Sequence, residues 1–301
     1  MYIFDKKILQ WYNRYNKILG KVMNKIIGKI FPEERALYNV CDTIIENCSF
    51  DGEEDGESAL KECKNITVKN CFFNLRYPLW HDEGFVLDSC KQTQLCRASL
   101  WYSHNGKIAN SELGGIKALR ECTNVTIEKS NIESAEFGWK CKNINITDSS
   151  LSGEYAFFES DSLNIEGLNF KGKYSFQYCS NVVIKNSILN TKDAFWHAKN
   201  VVCENCEVSG EYLAWYSENL TFINCKIKGT QPLCYCKNLK LINCTMENCD
   251  LSFEYSEVEA DIKGEITSVK NPTSGKIVAD SYGEIILSNS VKELKAEIIK
   301  R

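Results

Sequence analysis

Eight residues set 19 apart constrain this chain more than any other feature: Asn105, Asn124, Asn143, Ser162, Asn181, Asn200, Asn219 and Asn238 each open a unit of nearly constant length. A fixed period near 20 residues means one supersecondary unit per repeat, each covering its apolar face with the next. Within a unit the apolar residues fall at the second and fourth places, as in Val182 and Ile184 or Leu239 and Leu241, which is the period of a strand. Gly153, Gly172, Gly210 and Gly229 recur where the chain must turn. Short strands and turns stacked coil upon coil make a parallel β-helix. The units extend back to Asp42 with longer spacings of 23 and 21 residues, read as loop insertions, so about eleven or twelve coils are expected.

Stacking accounts for most of the 16 cysteines. Cys48, Cys71, Cys90, Ser111, Ser130, Ser149, Ser187, Cys206, Cys225 and Cys244 share one column, and Cys63, Cys122, Cys141, Ser160, Cys179, Ser217 and Cys236 share another. Free Cys packs as a small hydrophobe, so these read as inward ladders of reduced thiols rather than a disulfide framework. The preceding Asn47, Asn70, Asn110, Asn186, Asn205, Asn224 and Asn243 read as an Asn ladder at a bend. Cys203-x-x-Cys206 and Cys234-x-Cys236 fall on repeat columns and do not converge as a zinc site. His81, His104 and His197 are too scattered to share a metal, since His81 and His197 lie six coils apart, about 29 Å. No metal or other cofactor is expected. The Asn-x-Thr triplets at Asn65, Asn124, Asn145 and Asn219 belong to the strand-start pattern.

Residues 1–30 carry seven Lys or Arg against Asp5, a net +6 within an overall −4, so the body holds −10. An acidic body is a poor partner for a phosphate backbone, and no nucleic acid is expected. Residues 3–31 place Phe4, Ile8, Trp11, Tyr15, Ile18, Leu19, Val22, Ile26 and Ile30 at helical spacing opposite the lysines. This predicts an amphipathic helix over 1–31, either a cap on the first coil or a segment lying on anionic lipid. The β-helix is assigned to 32–287 and a tail to 288–301, where "SVKELKAEIIKR" reads as a short helix. With neither a cleavable leader nor a spanning helix in view, the expected location is cytoplasmic, with peripheral membrane contact through residues 3–31 as a second reading.

The segment before each new unit carries the functional expectation. It stacks an aromatic column (Trp80, Trp101, Trp139, Phe158, Trp196, Trp215, Phe253) beside two polar ones. One holds Glu136, Tyr155, Tyr174, Asp193, Tyr212, Gln231 and Asp250, the other His81, Tyr102, Glu159, Tyr178, His197, Tyr216, Tyr235 and Glu254. Such a wall suits a glycan or protein partner, with Tyr155, Tyr174, Trp196, His197, Tyr212, Trp215 and Tyr216 as ligand contacts. Cleavage of a glycosidic bond needs two carboxylates about 5–9 Å apart. Asp193 and Glu211, one coil apart, meet that requirement, as do Glu136 and Glu154, and this lack of uniqueness favours binding without catalysis. A lyase or hydrolase is the alternative.

"ERALY" at 34–38, "FDGEEDGESALKEC" at 50–63, "YPLW" at 77–80, "RASLWYS" at 97–103, "KDAFW" at 192–196, "GEYLAWYS" at 210–217, "QPLCYC" at 231–236, "DLSFEYS" at 250–256 and "SVKNPTSG" at 268–275 together resemble the bacterial domain-of-unknown-function family thirty-seven thirty-seven over about residues 33–287. The resemblance implies an all-β fold, a single-stranded right-handed parallel β-helix of pectin-lyase type, and carries no catalytic residues across.

Overall fold

The computed structural model describes residues 23–52 and 57–301. They form an all-β parallel solenoid of about 14 turns, with no helix among the described residues. Each coil has three sides. Around Ser180 these are a long strand, Ser180–Lys185, a short strand, Ile188–Asn190, and a wall over 193–198. Neighbouring coils pair in parallel and in register, Val182 with Val201 and Ile184 with Cys203, then Val201 with Leu220 and Cys203 with Phe222. Because side chains alternate along a strand, the register puts Val182, Ile184, Val201 and Cys203 into a continuous interior, 0–1 % exposed. The short strands add Leu189, Val208 and Ile227, and the wall adds Phe176 and Phe195, whose rings stack at 5.0 Å. Each such buried side chain contributes roughly 1.5–3 kcal/mol, and the period multiplies that contribution along the axis.

The corners explain the polar columns. Asn181, Asn200, Asn219 and Asn238 all have φ between 48° and 58°, the left-handed region that Asn tolerates best after Gly. Their amides bond along the stack: Asn200 Nδ2 donates to Asn181 Oδ1 (3.1 Å), Asn219 to Asn200 (3.0 Å) and Asn238 to Asn219 (2.8 Å). The residues that open each unit are therefore a ladder in their own right. The expected ladder at the other end of the long strand is also present, with Asn224 donating to Asn205 (3.2 Å) and Asn243 to Asn224 (2.6 Å).

The Cys and Ser columns are buried as expected, all 16 thiols are free, and Cys41 is the one exposed. Their chemistry goes beyond packing. At each bend a backbone N–H turns away from the strand ladder and donates to the Ser or Cys of the next coil: Cys90 to Ser111 Oγ (3.0 Å), Ser111 to Ser130 Oγ (3.2 Å), Cys141 to Ser160 Oγ (2.9 Å). Ser111 and Ser130 in turn donate a hydroxyl hydrogen bond to the carbonyl two residues back, at 2.7 and 2.8 Å. A small residue that both accepts and donates satisfies the buried amide, which bulkier apolar residues would leave orphaned. Gly153, Gly172 and Gly210 mark a close approach between coils, since a Cβ on Gly210 would lie 1.3 Å from Thr191 O and one on Gly172 1.8 Å from Gly153 O.

The two ends correct the sequence reading. Residues 24–31 are strands, not helix: Asn24–Ile27 pairs with 43–46 and Ile30–Phe31 with Ser49–Phe50. The 19-residue step is hidden here because Gly28, φ 64°, stands in the corner where the next coil has Asn47, and Phe31 stacks on Phe50 at 5.2 Å. Pairing with an existing edge and burying Phe31 outweighs helical spacing in a short segment. The remainder of the expected helix, and the cap and lipid readings that depend on it, lie outside the described residues. At the other end Glu297–Lys300 pairs in parallel with 276–279 instead of forming a helix, because Ile298 packs against the core. Just before it, Glu257–Lys270 and Ser274–Ile286 fuse the long and short sides into single strands, with a register shift between Ile262 and Glu265. No helix among the described residues is long and apolar enough to cross a membrane.

Candidate ligand-binding wall

The third side is built from an unusual backbone. In coil after coil from Tyr155 onward, every second residue has positive φ: Tyr155, Phe157 and Glu159, then Tyr174, Phe176 and Tyr178, then Asp193, Phe195 and His197. The amide directions alternate with it. Asp193 and His197 donate forward to Glu211 O (2.9 Å) and Trp215 O (3.0 Å), while Phe195 donates back to Ser175 O (2.9 Å). In the earlier coils the middle residue points the other way, Leu79 to Ser99 O and Leu100 to Ala118 O, and there short strands such as Leu79–Trp80 form. Left-handed backbone is costly for a residue as bulky as Phe and persists because its ring is locked in the interior stack.

This geometry settles which column faces inward. Simple alternation would bury one residue in two, but here two adjacent residues, Ala194 and Phe195, are both fully buried. The interior aromatic column is Phe157, Phe176, Phe195 and, further on, Phe253. The Trp column lies outside it, half-buried, and anchors itself to the next coil: Trp139 Nε1 donates to Tyr155 O (2.6 Å), Trp196 to Tyr212 O (2.7 Å) and Trp215 to Gln231 O (2.8 Å). Three sequence assignments shift by one residue. Gln231 is succeeded in its column by Leu251 rather than Asp250, and Tyr235 by Tyr255 rather than Glu254, because the coil between them is one residue longer. Phe253 belongs to the interior, not to the Trp column.

The outermost column is a continuous stack. Tyr178 lies on His197 at 4.9 Å and 12°, His197 on Tyr216 at 5.2 Å and 10°, and Tyr216 on Tyr235 at 4.7 Å and 10°. Trp196 and Trp215 stack beside it at 5.5 Å and 4°. Rings spaced by one coil and parallel to one another have their faces turned along the axis, so they show their edges, hydroxyls and imidazole nitrogens to solvent. Tyr178 is 51 % exposed and Tyr216 49 %. Tyr155 and Tyr174 form a second stack at 4.7 Å.

Toward the N-terminal end the same wall becomes basic and aromatic, a feature sequence reasoning missed. Lys61 sits 4.2 Å above Trp80, Trp80 stacks on Trp101 at 5.4 Å, and Arg120 covers the far side of Trp101 at 4.9 Å. The repeat columns contain the signal, because Lys61 and Arg120 occupy the Trp position in their own coils.

Ion pairs step along the wall at the same period. Lys192 Nζ meets Glu211 at 2.7 Å, Lys173 meets Glu154 at 2.9 Å, Lys117 meets Glu136 at 3.1 Å and Lys140 meets Glu159 at 3.5 Å. Each is at the surface, so it matters more for charge balance than for stability. Both sequence-derived carboxylate pairs are therefore changed in character, since Glu211, Glu136 and Glu154 are each held by a lysine. Asp193 differs. Its residue is only 6 % exposed, and burial raises its carboxyl above the usual range, with Lys192 opposing and Glu211 reinforcing the shift. Among the described residues no three His, Cys, Asp or Glu side chains converge as metal ligands.

A family model described as "Protein of unknown function (DUF3737)" matches residues 24–300. No curated protein sequence matches the chain. Among solved structures, the surface adhesin PfbA of Streptococcus pneumoniae is similar at 11 % identity and a TM-score of 0.39, over 79 % of this chain and 83 % of that one. A tailspike double mutant of the E. coli bacteriophage HK620 is similar at 10 % identity and a TM-score of 0.43, over 90 % and 63 %. The catalytic domain of a GH87 α-1,3-glucanase in complex with nigerose is similar at 9 % identity and a TM-score of 0.36, over 96 % and 65 %.

Proposed function

We propose, for a chain that belongs to the DUF3737 family of unknown function, that the wall is a binding surface for an extended glycan and that the protein binds without cleaving. The observation that carries this is the row Tyr178, His197, Tyr216 and Tyr235, which offers one hydrogen-bonding ring edge per coil beside Trp196 and Trp215. A linear polymer whose hydroxyls recur at short intervals matches a linear array with a repeat of about 4.8 Å. Contiguous exposed aromatics rimmed by polar residues mark interaction sites on soluble proteins. The ring faces are already occupied by one another, so recognition along this row works through edges and hydroxyls.

A hydrolytic reading has one observation in its favour: a general acid needs a raised carboxyl, and burial raises that of Asp193 beside Glu211. Binding is preferred because Glu211, the other half of the pair, is tied to Lys192. Glycan-array binding of the full chain, followed by incubation with each bound glycan and assay for new reducing ends, separates the readings. Binding without new ends is expected. Release of reducing ends that stops in Asp193→Asn and Glu211→Gln would establish the enzyme instead, and no binding to any glycan would end the proposal.

A further inference from the structure

The column that begins Tyr155, Tyr174 does not continue as a stack. Tyr155 and Tyr174 lie face to face at 4.7 Å, and the next tyrosine in the column, Tyr212, stands two coils further on, about 9.6 Å at standard strand spacing. The coil between holds Asp193. Tyr212 turns edge-on to Trp215 at 5.2 Å and 73° rather than stacking within its own column. The face of Tyr174 turned toward Asp193 thus carries no ring.

Asp193 is itself unlike the other acids on the wall. It is only 6 % exposed, yet no hydrogen bond to its carboxylate is made by the described residues. The little exposure it keeps includes its carboxylate oxygens, which leaves an acceptor that no protein group fills within reach of a ligand hydroxyl. The charges around it select the ligand. Lys173 pairs with Glu154 and Lys192 with Glu211, so those four cancel and Asp193 leaves the site with one net negative charge, which repels an acidic sugar. An amine gains little there, because Lys173 and Lys192, 5.4 and 5.5 Å from the centres of the Tyr174 and Tyr212 rings, already supply the local positive charge. An uncharged ring with hydroxyls fits what remains.

We propose that Asp193 is the anchoring acceptor of a subsite for one neutral pyranose residue, stacked on the open face of Tyr174 with a hydroxyl bonded to the carboxylate and Lys192 as a neighbouring donor. This rests on the reading of the wall as a glycan surface and names the class of sugar it takes. Asp193→Tyr should complete the tyrosine stack and fill the subsite without harming the fold, while Asp193→Asn keeps the shape and removes the charge.

The test is calorimetric titration of the full chain and both variants with neutral hexasaccharides of glucose, mannose, galactose and N-acetylglucosamine, and with hexagalacturonate as the charged control. Melting temperatures of the variants are measured alongside. The expected result is wild-type binding to at least one neutral hexasaccharide and not to the uronate. Asp193→Tyr then loses at least tenfold in affinity at an unchanged or raised melting temperature, and Asp193→Asn weakens binding about tenfold, the scale of one hydrogen bond to a charged group. Undiminished binding by Asp193→Tyr would overturn the subsite and leave the wall reading standing. Preference for the uronate would overturn the sugar class. Failure of wild type to bind any of the five would remove the wall reading and the subsite together.

Discussion

Replacing Asp82 by serine removes a fully buried carboxyl from the column of Cys and Ser in which its neighbours are Cys63, Ser103 and Cys122. Asp82 does part of what the column requires, since Cys63 N–H donates to its Oδ1 at 2.8 Å. Its other oxygen, Oδ2, is buried without a partner. Burial drives its carboxyl well above the usual range, and Glu62 and Cys122 push the same way. The folded state therefore keeps a proton that the unfolded chain gives up at about pH 3.9. The sign follows: folding stability from this group is complete below that pH and is lost as pH rises through the interval up to the folded pKa, at up to about 1.4 kcal/mol per pH unit. The hydroxyl introduced by Asp82→Ser would accept from Cys63 N–H as Ser160 does from Cys141 at 2.9 Å, with no orphaned oxygen and no ionisation. Relief of one buried unsatisfied group is worth about 1–3 kcal/mol, which at about 2 °C per kcal/mol for a long chain is a rise of about 2–6 °C in Tm at pH 7. Asp82→Asn should flatten the pH profile equally while gaining less, because an amide still leaves donors unmet. Thermal melts of the three proteins from pH 4 to pH 8 make the comparison. A lower Tm for Asp82→Ser at pH 7 together with an unchanged pH slope would refute the account of the bends.

Four further outcomes are expected. Gln92 is buried beside Phe73 of the preceding coil with both amide atoms unpaired, so Gln92→Leu should raise stability by about 1–3 kcal/mol in denaturant melts. Asn200→Ala loses two ladder bonds and puts at φ 55° a residue without the tolerance of left-handed backbone that Asn shows, and should be about 1 kcal/mol less stable than Asn200→Gly, which loses the bonds but suits the corner. Gly210→Ala drives a methyl into Thr191 O and should cost more than about 4 kcal/mol, seen as loss of soluble protein. Of the 16 thiols only Cys41 is exposed, so a thiol reagent should label one site per native chain and 16 after unfolding in guanidinium.

What could be read from the sequence was whatever repeats on a column. Asn200, Cys206 and Val182 each owe their identity to the residues one coil away, so a 19-residue period exposes the corner, the bend and the core at once. What could not be read depends on backbone rather than spacing. Gly28 stands in for an Asn at the first corner, and without that equivalence Ile26, Ile27 and Ile30 fit a helix as well as a coil. One additional residue between Gln231 and Leu251 moved Phe253 from the Trp column to the interior, an ambiguity that only the ladder of amides resolves. The side of the wall that faces inward was unreadable for the same reason: alternation presumes extended backbone, and Phe195 is not extended.

That backbone also decides how function on the wall must be probed. Left-handed backbone at Phe195 lets Ala194 and Phe195 both point inward, which frees Asp193, Trp196 and His197 to line the outside of the same short segment. The long and short strands, held to strict alternation, offer no such density of outward side chains, and Lys–Glu pairs such as Lys185–Glu204 and Lys226–Glu247 step along them. Holding Phe195 at φ 61° costs on the order of 1–3 kcal/mol, and the interlocked rings around it must compensate. Tyr216 and His197 therefore serve two purposes, since their stacking stabilises the coil that presents them, and alanine at either would lower stability and binding together. Asp193 interrupts a stack instead of extending one. A substitution there changes what the wall can hold while leaving the ring ladder intact, and that makes it the position at which recognition and folding come apart.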